Sequence, residues 1–161
     1  MTTHTTGGLR AAWLCVAATL LAATTARADE HRASHVLPLP AYTQECASCH
    51  MAYPPRLLPA AAWQRVMDNL SRHYGTDASI DAGTVRTLSA WLQAHAGSGK
   101  RAREQPPEDR ITRAAWFQRE HDEVPAATWK LPAVKTPANC AACHTQAEQG
   151  DFSERHIRLP R

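Results

Sequence analysis

Two stretches of this 161-residue chain decide its fold: Cys46-Ala47-Ser48-Cys49-His50 and Cys140-Ala141-Ala142-Cys143-His144. Cys-x-x-Cys-His is the pattern that holds a c-type haem, because its two thiols bond to the haem vinyl groups and its imidazole ligates the iron. Two copies predict two covalently bound haem c groups. Their attachment residues are Cys46, Cys49, Cys140 and Cys143, and their proximal axial ligands are His50 and His144.

Two other interpretations of these cysteines remain open at this stage. An even number of cysteines in an exported protein permits a disulfide framework, and two Cys-x-x-Cys knuckles can form a structural zinc site. Neither requires a histidine directly after both second cysteines. The fifth cysteine, Cys15, lies within the amino-terminal apolar run and would leave with it.

The amino terminus has the pattern of a cleavable export signal at residues 1–28. A polar stretch containing Arg10 precedes the apolar run 11–23, and Ala26-Arg27-Ala28 is a small-x-small cleavage site. The alternative, an uncleaved anchor helix, is disfavoured because the run is short for a bilayer. We therefore expect a mature chain of residues 29–161 in the periplasm, without a transmembrane segment.

Charge excludes one class of function. The formal charge of +3 falls to +1 when Arg10 and Arg27 leave with the signal, and the haem propionates make the loaded protein slightly negative. Nothing in this balance favours nucleic-acid binding. The apolar side chains are few and mostly alanine, so we expect the porphyrins to complete the core and the haem-free chain to fold poorly.

Apolar periodicity predicts a mostly α-helical fold with little or no sheet. The first predicted helix, 60–74, has an apolar stripe through Trp63 that ends at His73 and Tyr74. A second helix is predicted at 80–96, with Asp77 or Ser79 as its cap, and a third at 112–123. Before the first motif, residues 29–40 are predicted to be extended. Residues 53–59, before the first helix, are predicted to form a stiff proline-rich connector.

The predicted organisation is one domain with two lobes. Lobe one covers about 29–96, and lobe two about 110–161. Glycine, basic residues and a proline pair give 97–109 the composition of a linker. Asn139 is expected to cap a short helix that carries the second motif.

The second axial ligand of each iron determines what the protein can do. A second imidazole closes the iron and leaves it able only to pass electrons, whereas an open position admits oxygen or peroxide. Methionine is disfavoured, since Met51 follows His50 directly and Met67 is expected to face away from His73.

Six histidines remain as possible distal ligands. His73 and His121 are favoured, because each ends an apolar stripe; His121 shares a side with Phe117, four residues earlier. His95 is the main rival. The remaining three are less favoured: His31, His35 and His156.

The chain resembles the small dihaem cytochromes c that are associated with a high-spin haem protein. The resemblance is carried by these stretches: Glu45-Cys46-x-x-Cys49-His50-x-Ala52-Tyr53-Pro54-Pro55, Leu57-Leu58-Pro59, Trp63, His73-Tyr74-Gly75, Arg110-Ile111-Thr112, Trp116-Phe117, Glu120-His121, Asn139-Cys140-x-x-Cys143-His144, Ala147, Gly150-Asp151-Phe152 and Pro160. They span nearly the whole of 29–161.

This resemblance implies a cytochrome c-like two-lobed fold with one haem per lobe and bis-histidine ligation. His73 and His121 match the positions of the family's distal ligands. It also implies electron transfer to a high-spin haem protein, with a membrane cytochrome b as the expected donor.

Two other functions stay open. One is a small dihaem enzyme, peroxidase-like or ligand-reducing, with one open iron. The other is a sensor or interaction module in which the basic run 100–103 docks an acidic partner, although such runs are usually only solvated.

Overall fold

The computed structural model describes residues 36–160, together with Met1 and Thr2. Most of the predicted signal segment, and both His31 and His35, lie outside the described residues. Within residues 36–160 the chain forms helices and turns and no strand, as the sequence predicts. The α-helices are α1 Pro40–Cys46, α2 Ala60–Met67, α3 Ala82–Ala94, α4 Lys100–Arg103 and α5 Ala115–Glu120.

Helix α1 was not predicted, because Pro38 and Pro40 were expected to bar a helix. Pro40 instead occupies the first turn of α1, where a missing N–H costs nothing because that group has no partner inside a helix. The helix buries Tyr42 and ends at Cys46. It therefore delivers the first thiol of the first motif from a fixed position on the core.

Helix α2 is shorter than the predicted 60–74. The α-helix ends at Met67, and a 3-10 turn, Leu70–Arg72, follows. Tyr74 and Gly75 both have positive φ, at 51° and 98°, so the backbone turns back here and cannot continue as a helix. Tyr74, expected on the buried stripe, is exposed.

Helix α3 begins later than predicted and has a different cap. The Asp81 carboxylate accepts hydrogen bonds from the backbone N–H groups of Gly83 and Thr84, at 2.9 and 3.0 Å. Asp77 instead accepts from the N–H of Ser79 in the preceding turn. The predicted apolar stripe is confirmed, since Leu88 and Leu92 are completely buried.

The hydrophobic core lies where α1, α2 and α3 meet. Its buried members are Tyr42, Leu58, Ala62, Trp63, Met67, Leu88 and Leu92. The Trp63 indole N–H donates to the Pro55 carbonyl at 2.7 Å, which ties α2 to the 3-10 turn Pro55–Leu57 inside the predicted connector.

The second half of the chain has little core of its own. The predicted linker contains α4 and the turn Pro107–Asp109, and α5 is shorter than the predicted 112–123. Its other helical elements are 3-10 turns: Ile111–Arg113, Thr128–Lys130, Cys140–Ala142, Ala147–Gln149 and Glu154–His156. The Asn139 side chain does not cap the turn after it; its amide donates to the Val134 carbonyl at 3.1 Å.

Several long-range contacts join the two halves, among them a hydrogen bond from the Tyr74 hydroxyl to the Asp109 carbonyl at 2.9 Å. Tyr53 donates to the Ala138 carbonyl at 2.7 Å, Arg56 donates to the Gly150 carbonyl at 2.6 Å, and Arg65 pairs with Asp109 at 2.7 Å. Residues 36–160 lie in one compact unit, and the division into two lobes stays a prediction. None of the described helices has the length and apolar character needed to cross a membrane.

Gly97 lies where the surrounding backbone leaves no room for a side chain. Its N–H donates to the Leu58 carbonyl at 2.8 Å, and a Cβ there would meet the Arg56 carbonyl oxygen at 2.8 Å. We expect Gly97→Ala to lower the free energy of unfolding by about 1–3 kcal/mol, measured by denaturant titration. Gly83→Ala is the control, because its Cβ would approach side-chain atoms alone, the nearest being Asp81 Oδ1 at 3.0 Å, and no backbone atom. Equal stability of the two variants would contradict this.

Candidate functional site

A cavity of about 530 Å³ lies beside the hydrophobic core. Cys46, Cys49 and His50 line it together with His73. Its apolar wall is formed mainly by Leu58, Trp63, Met67, Leu70, Leu88 and Leu92. A cavity of this volume, with an apolar wall and a few polar groups, is typical of a cofactor site.

His50 and His73 face each other across this space. Their ring centroids lie 6.1 Å apart, with an interplanar angle of 26°. The ring of His50 is held by Met51, whose carbonyl lies 2.7 Å from Nδ1. His73 is placed by the end of the 3-10 turn and by a bridge to Thr76.

His121 and His144 form a second pair at the same centroid separation, 6.1 Å, but with an interplanar angle of 75°. His121 directly follows α5, stacks on Phe117 at 4.1 Å, and has Nδ1 2.8 Å from the Phe117 carbonyl. The predicted shared side of Phe117 and His121 is therefore confirmed. His144 is held by a bridge to Ile157.

The second pair lies in a more open part of the molecule. A cavity of about 390 Å³ reaches His121, and Phe117 and Trp129 also line it. The residues that line this cavity do not include the second motif. His144 instead contacts Phe152, at 5.4 Å between ring centroids.

These residues fit two haem groups. An imidazole nitrogen binds a metal ion at about 2 Å, so two rings facing each other across one ion have centroids about 6 Å apart. Both pairs have this separation. His73 and His144 each also keep a buried Nδ1 without a hydrogen-bond partner, which is costly in a protein interior.

The electrostatics favour neutral ligands. Burial lowers the pKa of His73 and of His144, and the neighbouring imidazole of each pair lowers it further. Neutral imidazole is the form that binds a metal ion. Burial also raises the pKa of the Cys46 and Cys140 thiols to about 11.

Among the described residues, neither rival histidine, His95 or His156, pairs with a motif histidine or lines either cavity. His95 has Nδ1 2.8 Å from the Trp91 carbonyl, with its ring packed on Trp91. His156 has Nδ1 2.8 Å from the Asp151 carboxylate. The prediction that Met67 faces away from His73 is wrong, since both side chains line the same cavity. Helix α2 ends at Met67, so helical spacing does not extend to His73.

Sequence reasoning missed the part that Tyr53 plays between the sites. Its ring stacks on His50 at 4.9 Å, while its hydroxyl reaches Ala138, 85 residues further along the chain. Burial raises the pKa of Tyr53 to about 12, so the phenol stays a hydrogen-bond donor at neutral pH. Its place next to the first motif was visible, but no local pattern indicates its distant partner.

A helical fold with two Cys-x-x-Cys-His motifs, each with a histidine facing its own, defines a c-type cytochrome with two haem sites. The chain belongs to the dihaem cytochrome c family, whose family model matches residues 42–152. Its covalently bound cofactors are accordingly two haem c groups, and electron transport is the class of function this family supports.

Solved structures agree. The diheme cytochrome c of Shewanella baltica OS155 is 39% identical, with a TM-score of 0.66, covering 75% of this chain and 92% of that one. A diheme cytochrome c from Rhodobacter sphaeroides is 39% identical, with a TM-score of 0.64, covering 72% of this chain and 98% of that one. Nothing among curated proteins matches the chain.

Proposed function

We propose that this dihaem cytochrome c is an electron carrier in which two histidines close each iron. His50 and His73 serve the first haem, and His144 and His121 serve the second. The observation that carries this proposal is the equal 6.1 Å separation of the two facing pairs. Haem c supplies one-electron chemistry at its iron, and an iron closed by two imidazoles keeps no position for oxygen or peroxide.

The protein's own residues would hold the ligands in place and exclude water. Leu88, Leu92 and Trp63 give the first site an apolar wall. Backbone carbonyls of Met51 and Phe117 hold Nδ1 of His50 and His121, which leaves Nε2 of each ring for the metal. Ligands that are fixed before and after electron transfer need little rearrangement.

We further propose that the carrier works in the periplasm, delivering electrons to a high-spin haem protein and receiving them from a membrane cytochrome b. The signal-like pattern at 1–28 and the family resemblance support this. The basic run Lys100–Arg103 is one surface for such a partner. Lys100 and Arg103 are exposed, whereas Arg101 lies over the Trp116 ring at 4.3 Å and is engaged within the protein.

Spectroscopy of the purified, haem-loaded protein tests the ligation. We expect two haems per chain, a ferric EPR spectrum with low-spin signals alone, and no binding of carbon monoxide to the reduced protein. A high-spin signal, or a carbon monoxide adduct, would refute closed irons and favour the alternative, a small dihaem enzyme with one open iron. Peroxide turnover without an added partner would identify that enzyme.

A further inference from the structure

Tyr53 contacts both haem sites. Its ring stacks on His50, with 4.9 Å between centroids and 28° between planes. Its hydroxyl donates to the Ala138 carbonyl at 2.7 Å. Ala138 lies two residues before Cys140, so one side chain links the proximal histidine of the first site to the backbone that enters the second motif.

Tyr53 is also firmly held on the first site. Its carbonyl accepts a 2.7 Å hydrogen bond from the hydroxyl of Tyr42, which is buried in the core. Pro54 and Pro55 follow directly and restrict the backbone. A side chain fixed in this way can serve as a reference point for whatever its hydroxyl binds.

The wall of the first cavity is continuous with the second motif. Tyr53, Ala138 and Cys140 all line the cavity that holds His50 and His73. The second attachment site thus lies against the first haem site, and the Tyr53 hydroxyl is bonded where the two meet. Arg56 makes a separate contact between the same halves, at Gly150.

We propose that Tyr53 is a positioning residue that sets the second haem against the first and thereby sets the rate of electron exchange between them. This inference rests on the proposed function, in which both haems are low-spin carriers. Exchange between two redox centres depends steeply on their separation and relative orientation. A hydrogen bond that fixes one motif on the other site therefore controls exchange without contacting either partner protein.

The test uses the haem-loaded Tyr53→Phe variant, which keeps the ring on His50 and loses only the hydroxyl. One haem is reduced by a flash in the presence of a photoreductant, and equilibration between the haems is followed optically. Losing one neutral hydrogen bond shifts the equilibrium between docked and undocked arrangements of the second motif by about fivefold, so we expect exchange to slow by up to about fivefold. Arg56 still joins the halves, so the variant should fold.

Tyr74→Phe is the matched control. The ring of Tyr74 lies against His73 at 4.8 Å, and its hydroxyl donates to the Asp109 carbonyl at 2.9 Å, not to the second motif. Its exchange rate should equal that of the parent protein. Tyr53→Leu, which removes the ring as well, should slow exchange further than Tyr53→Phe; if it does not fold, the Phe variant decides alone.

The outcomes separate this inference from the proposed function. Parent-like exchange in Tyr53→Phe, with both haems still low-spin, would overturn the role of Tyr53 and leave the electron carrier intact. An equal loss of rate in Tyr53→Phe and Tyr74→Phe would also overturn it. A high-spin spectrum in the parent protein would instead refute the proposed ligation.

Discussion

Replacing His73 with alanine is expected to convert one of the two haems to a high-spin form that binds carbon monoxide, while the other stays low-spin. His73 is the ring that faces His50 at 6.1 Å across the larger cavity. Among the described residues, His73 is the only histidine besides His50 that lines this cavity, and alanine removes its ring. The iron then has an open position, and open positions admit small ligands.

Two control variants make this test specific. His95→Ala removes the rival histidine, whose Nδ1 lies against the Trp91 carbonyl. Met67→Leu removes the thioether that lines the same cavity with a side chain of similar volume. We expect both controls to keep two low-spin haems and to bind no carbon monoxide. EPR of the ferric protein and carbon monoxide titration of the ferrous protein measure the difference.

The pattern across the three variants identifies the ligand. A low-spin His73→Ala protein combined with a high-spin Met67→Leu protein would assign the first iron to methionine. A high-spin His95→Ala protein would assign it to His95. Either result would contradict the proposed His50–His73 pair.

The sequence predicted the parts of the site that depend on local spacing. Each motif joins its thiols to a histidine within five residues, and Phe117 and His121 stack because residues four apart on a helix are neighbours. Leu88 and Leu92 are buried for the same reason. Local periodicity was enough for these because each element buries a single face.

Other features depend on where the chain turns, which periodicity does not encode. His73 was predicted to face inward on a long helix, yet it reaches the cavity from a 3-10 turn after α2 has ended. The same turn leaves Tyr74 exposed and brings Met67 to the cavity wall. His73 does line the cavity, as predicted, but it is placed there by the 3-10 turn and not by a continuous helix.

Contacts between segments far apart in the chain could not be predicted from local sequence patterns. Helix α1 can begin at Pro40 because proline is tolerated in a first turn. Its burial depends on Tyr42, which packs into the core formed with distant segments. The link from Tyr53 to Ala138 spans 85 residues. No pattern within either segment specifies the other, so only the folded chain reveals that the two motifs adjoin.

The two haem sites differ in how much of the fold surrounds them. The wall of the first cavity includes Leu88 and Leu92 of α3 and Trp63 of α2, which are core residues. Within residues 110–160, the buried apolar residues are Ala114, Phe117, Val134 and Ala147. In the proposed arrangement the first haem would complete the main core, whereas the second would pack on turns at its edge.

Losing the first haem should accordingly damage the fold far more than losing the second. The first cavity is lined by core side chains, and leaving such a site unfilled removes packing contacts that the fold depends on. We expect a Cys46→Ser, Cys49→Ser double variant to lose cooperative unfolding. A Cys140→Ser, Cys143→Ser variant should fold with one haem and a moderately lower Tm.

Circular dichroism during heating, with haem content measured on the same samples, compares the two variants. Each variant loses both thiols of one Cys-x-x-Cys-His motif. The attachment chemistry is therefore matched, and only the surroundings of the haem site differ. Equal Tm values, or a greater loss in the Cys140 and Cys143 variant, would show that the core does not depend on the first haem. The expected order follows from the lining of the two cavities: core side chains, including Trp63 and Met67, line the first, whereas no member of that core lines the second.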